Sequence, residues 1–161
     1  MDGVPSQPDV SQRPCPGCGL DTAALHRDVI SALIRQNAQS WQVVLVSGDQ
    51  AGAALEHAGQ VRDLLRVARS RLTLMLTEDD PTFARWDTEL AAAEGGPDPQ
   101  RLAEDLGFAA RKLADAFDVV TGPQWHRAGT TADGARCTVE SLARQVLHDA
   151  VHRLRAVSTT A

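Results

Sequence analysis

Leu55-Glu-His-Ala-Gly-Gln-Val-Arg-Asp-Leu-Leu-Arg-Val-Ala-Arg-Ser-Arg-Leu-Thr-Leu-Met-Leu-Thr-Glu78 is the stretch on which the fold turns. Leu55, Ala58, Val61, Leu65, Ala68, Leu72 and Met75 recur at steps of three and four, which lays an apolar stripe along one side of a helix. Before it, Ser47-Gly48-Asp49 is a break. Upstream of the break, Ile30, Ile34, Trp41 and Leu45, flanked by Val29, Leu33 and Val44, keep the same spacing and predict a helix from about Thr22 to Val46. Downstream, Glu78 to Gly96 holds Asp79-Asp80-Pro81, Trp86-Asp87 and Gly95-Gly96-Pro97 and reads as a long connection. Asp98 followed by Pro99 combines an N-cap with a proline at the first helical position, and Leu102, Leu106, Ala110, Leu113, Phe117 and Val120 continue at helical spacing. Thr121 to Arg136 is polar and turn-rich apart from Trp125. Thr138 can then cap a last helix carrying Val139, Leu142, Val146, Ala150 and Leu154 to about Val157.

No segment alternates with the period of two that a half-buried strand needs, and aromatic residues are 4% of the chain with no Tyr. The fold class is therefore all-α, a four-helix bundle with long crossover connections. A length of 161 residues suits one domain over 15–161, preceded by a tail, Met1 to Pro14, with almost nothing to bury. The net charge of -5 lacks the positive field that holds nucleic acid or anionic lipid. No apolar leader or membrane-spanning run is present, which reads as a cytoplasmic protein acting on a small molecule. A homodimer through a helix face is compatible with this size, although no leftover stripe names the interface.

Two features carry metal chemistry. His148 and His152 stand four apart, so both imidazoles lie on one face of the last helix, one turn apart, in reach of one ion. The competing reading is a solvated polar face, because Ser141, Gln145, His148, His152 and Arg155 lie opposite the apolar stripe. Cys15-Pro16-Gly17-Cys18-Gly19 has the form of a zinc knuckle, in which a tight turn brings two thiolates to one ion. It is half a site, to be completed by Cys137, His26, the His148/His152 pair or another subunit. The alternative is a reduced, metal-free turn. On the second helix His57 lies at the edge of the apolar stripe, with Gln60 one turn on; the plainer reading of His57 is packing. Asp79-Asp80, Trp86-Asp87 and Asp133-Gly134 read as turns or caps rather than acid/base pairs.

Several stretches together resemble the DinB-like superfamily, in a compact branch of it. They are Cys15-Pro-Gly-Cys-Gly-Leu-Asp21, Leu55-Glu56 through Val61-Arg62-Asp63, Glu78 to Phe83 with Trp86-Asp87, Asp133-Gly-Ala-Arg136 running into Thr138-Val139-Glu140, and Leu147-His148-Asp149. The resemblance implies a bundle with a divalent metal, zinc or nickel, held by one His from the second helix and an HxxxH pair from the fourth. That pair maps onto His148 and His152, while the second-helix position falls on Gln60, with His57 three residues earlier. It further implies a transferase or isomerase using a low-molecular-weight thiol such as mycothiol, which the metal would bind as thiolate. Gln60 departs from the pattern, since a neutral amide oxygen is a poor ligand for zinc or nickel. Gly52 stands where relatives carry a Trp.

Three functions follow from these residues. The first is a metal-dependent thiol transferase or isomerase with His148 and His152 as ligands and Gln60 or His57 completing the shell. The second is a metal-free enzyme or small-molecule binder using His57, Gln60, His148 and His152 as hydrogen-bonding or acid/base groups. The third is a non-enzymatic interaction protein with structural zinc at Cys15 and Cys18. A meeting of the cysteines with the histidines would make a closed Cys2His2 site instead of an open catalytic one.

Overall fold

The computed structural model describes residues 14–47, 52–85 and 98–158. Among them stand four helices, α1 (Ile30–Val46), α2 (Gly52–Thr77), α3 (Pro99–Asp118) and α4 (Val139–Ser158), and one small hairpin, β1 (Ala128–Thr130) with β2 (Arg136–Thr138). The fold is all-α in its mass. The tail to Arg13, Gly48-Asp49, Trp86-Asp87 and Gly95-Gly96-Pro97 lie outside the described residues.

The apolar stripes become one core. Ala58, Val61, Ala68, Leu72 and Met75 of α2 meet Ile34, Trp41 and Leu45 of α1, Leu106 and Leu113 of α3, and Leu142 and Val146 of α4. Trp41 and Met75 are wholly buried, and side chains of this size each contribute roughly 1.5–3 kcal/mol by leaving water. α1 packs chiefly on α3 and α4, α2 does the same, and the two touch each other little. Consecutive helices α1 and α2 thus face one another across the core.

Helix starts follow the capping chemistry. Asp98 accepts a hydrogen bond from the Arg101 amide, with Pro99 inside the first turn. Thr138 and Ser141 cap α4 reciprocally, each side-chain oxygen accepting from the other's amide at 3.0 and 2.9 Å. The first helix is shorter than its periodicity predicts. Asp21 accepts from the amides of Ala23 and Ala24, and His26 Nδ1 accepts from the Asp28 amide, so Thr22–Ala24 and Arg27–Val29 form two 3-10 turns. Leu25 between them is extended, and the α-helix begins only at Ile30. Side-chain acceptors here compete successfully with helical hydrogen bonding.

The α3–α4 connection holds two strands that the lack of alternation did not predict. Three-residue strands are too short to show a period, and Gly134, at φ 90°, makes the turn between them. Pro81 to Phe83 joins the hairpin edge: the Phe83 amide donates to the Thr130 carbonyl, and the Thr130 amide donates to the Pro81 carbonyl. Gly129 is required by this approach, since a Cβ there would lie 2.3 Å from Phe83 Cζ. The acidic pairs serve this junction. Asp79 meets Arg127 at 3.3 Å, Asp80 accepts from Thr130 Oγ1, and Asp133 accepts from Thr131 Oγ1. As the sequence indicates, they are turn and surface groups.

Candidate metal centre

The residues before α1 form a strap along α4. Cys15 opens it: its amide donates to the Leu20 carbonyl at 2.9 Å, and its carbonyl accepts from the Gly19 amide at 2.7 Å. Gly19 has φ 76°, a conformation in which a side chain would be strained, so the knuckle turn is set by the sequence itself. Arg144 ties the strap down through hydrogen bonds to the carbonyls of Thr22 and Leu25 and an ion pair with Glu140. At the next element Arg27 stacks over Trp125, which itself stacks on Phe117.

Arg144, His148 and His152 are spaced by four and form one stripe of α4 under this strap. The polar face is therefore covered by chain at His148. His148 is buried, at 8% exposure, and so are Cys15 and Cys18; His152 is exposed. The imidazoles lie 5.5 Å apart between centroids, and His152 Nδ1 is 3.7 Å from Cys15 Sγ. One ligand atom from each of Cys15, Cys18, His148 and His152 lies within 4.8 Å of the other three. Among the described residues this is the one such group of His, Cys, Asp and Glu.

The electrostatics prepare the thiols unequally. The His148 side chain, then the backbone at Cys18 and at Gly17, and lastly His152 stabilise the Cys15 thiolate against the cost of burial, and its pKa falls from 9.0 to about 6. Cys18 moves the opposite way, raised by burial and by the neighbouring Cys15, because two thiolates side by side repel. A divalent cation between them removes that repulsion. His148 Nε2 is buried and has no hydrogen-bond partner of proper geometry, while Nδ1 lies 3.3 Å from Asp149 Oδ1. A desolvated imidazole nitrogen without a well-formed hydrogen bond, beside two thiols, fits a metal ligand.

Two sulfurs and two imidazole nitrogens from the protein are the donor set of tetrahedral structural zinc, with thiolate softness favouring it over oxygen-loving cations. The remaining predicted residues go elsewhere. Arg153 Nη1 donates to Gln60 Oε1 and stands 3.3 Å from His57 Nδ1, so the two α2 residues converge on the neighbour of His152 and not on the four-residue cluster. Cys137 lies in β2 beside Ser141, its thiol raised by burial, and His26 caps its own turn. Sequence reading missed Arg144 and Asp149 as parts of the centre. Arg144 was signalled only by standing four before His148 on the same face.

Among the described residues no helix is long and apolar enough to cross a membrane. No family model, curated protein or solved structure matches the chain.

Proposed function

We propose that the chain is a zinc protein whose ion is structural, a Cys2His2 staple that closes the strap of residues 14–29 onto α4, and that the domain works as a non-enzymatic interaction protein. The observation that carries this reading is the convergence of Cys15 and Cys18 with His148 and His152, more than a hundred residues away in sequence, within 4.8 Å. Four protein ligands leave no coordination position for substrate, which is the difference between structural and catalytic zinc. Elemental analysis of the purified chain tests it: one zinc per chain, lost on Cys15→Ser/Cys18→Ser and equally on His148→Ala/His152→Ala. Zinc that survives the cysteine double variant defeats the closed site.

A second reading, a four-helix bundle of DinB-like type with transferase or isomerase activity on a small thiol such as mycothiol, requires His57 or Gln60 to leave Arg153 and join the two histidines. In that reading His148 and His152 hold zinc or nickel, the α2 residues complete the shell, and an incoming thiol takes the position of a cysteine. Metal retained by the histidines alone, together with thiol-dependent turnover, would favour it. The two thiols already beside the histidines favour the staple.

A further inference from the structure

We propose that Asp149 is the positioning residue of the zinc centre: it accepts the Nδ1 proton of His148 and so presents Nε2 to the metal, with Gln145 holding the carboxylate in place. The inference rests on the zinc reading above and adds to it two residues outside the ligand set. His148 Nδ1 lies 3.3 Å from Asp149 Oδ1, and Gln145 Nε2 donates to the same oxygen at 3.0 Å. Gln145 and Asp149 are one turn apart on α4, so the helix itself aligns donor and acceptor.

A neutral imidazole carries one proton, and where that proton sits decides which nitrogen can bind a cation. At His148 the carboxylate makes the Nδ1–H tautomer the favoured one, leaving the Nε2 lone pair free. Nε2 is the atom the fold buries beside the thiols without a well-formed hydrogen bond. His152 works the other way round, because its Nδ1 faces Cys15 Sγ. The two histidines therefore bind through different nitrogens, and only His148 needs an acceptor at Nδ1. The carboxylate also makes the imidazole a stronger donor to the metal, as partners behind metal-bound histidines generally do.

The test uses the full chain with zinc in competition with a chromophoric chelator, comparing wild type, Asp149→Asn, Asp149→Ala and Gln145→Ala. Asp149→Ala should weaken zinc binding roughly 10- to 100-fold, the range seen when such partners are removed. Asp149→Asn should fall between it and wild type, since an amide oxygen still accepts from Nδ1–H without the charge, and Gln145→Ala should lose less. Nitrogen NMR of the zinc-loaded wild type should show His148 protonated at Nδ1 and metal-bound at Nε2, a signature that a purely structural Asp149 would not set. Wild-type affinity in Asp149→Ala, or metal found on His148 Nδ1, overturns the proposal while the staple stands. A wild-type chain that binds no zinc overturns the staple and this proposal together.

Discussion

Gly17 faces His152 so closely that a Cβ on it would stand 2.6 Å from the imidazole Cε1 and 3.3 Å from Nδ1. The absent side chain is what lets the knuckle close over the ring. Gly17→Ala should push His152 away from Cys15 and weaken zinc binding by roughly tenfold, comparable to other perturbations around a ligand. Gly59→Ala on α2 is the control: beyond the adjacent residues and backbone of its own helix no atom lies within 4 Å of its Cβ position, and helix propensity predicts a gain of roughly 0.5–1 kcal/mol. Zinc titration and thermal unfolding of both variants check the pair. Equal zinc affinity in Gly17→Ala and wild type would remove the close approach from the account.

The strap depends on the metal at one end and on Arg144 at the other. Chelation should loosen residues 14–29 without unseating them, since Arg144 still holds the carbonyls of Thr22 and Leu25, so that trypsin cuts after Arg27 faster than in the zinc-loaded chain while α1 to α4 stay folded. Arg144→Met leaves the carbonyls of Thr22 and Leu25 without their charged donor and should cost about 1–3 kcal/mol. It should also make cleavage after Arg27 rapid even with zinc present. Mass spectrometry of timed digests reads both effects.

With the strap seated and no metal bound, the His148 side chain and the knuckle backbone lower the Cys15 thiol from the ordinary 9.0 to about 6. A folded-state pKa below the unfolded one stabilises the fold above the unfolded value, and that contribution is lost as pH falls from 9.0 toward 6. Ultraviolet thiolate absorbance of chelated protein should therefore rise with a midpoint near 6 and lose that step in Cys15→Ser. Cys137, raised by burial, should contribute no thiolate at neutral pH.

Far from the strap, Asp118 links α3 to α1. Burial works against its ionisation, but the hydrogen bonds from Ser31 and Arg35 outweigh that and hold its carboxyl below the usual 3.8. The sign follows directly: the stabilisation is present above pH 3.8 and is lost as pH drops below it. Because both side chains of the ion pair are substantially exposed, Asp118→Asn should cost no more than about 1 kcal/mol at neutral pH. Urea unfolding should show the wild type and the variant converging in acid.

Helices were legible wherever burial and local capping agreed. The stripe of Leu55 to Met75, the Asp98-Pro99 start and the Thr138 cap are local patterns, and the structure has helices at all three. The hairpin was not legible, because Ala128–Thr130 and Arg136–Thr138 are held by pairing with each other and with Pro81 to Phe83, contacts that no window of sequence contains. The knuckle was legible as half a site and the HxxxH pair as another half. The face carrying His148 reads on a helical wheel as a solvated one, since a wheel knows only its own helix.

What the sequence by itself determined is the all-α class, the apolar stripes, and two metal-ligand motifs of fixed internal spacing, all set by interactions within a few residues. Only the tertiary structure decided that the two motifs belong together and that His57 and Gln60 turn to Arg153 instead. The physical reason is that Cys15 and His152 are 137 residues apart. Their meeting depends on α4 packing into the core and on Arg144 drawing the strap along it, and neither is encoded in the spacing of either motif.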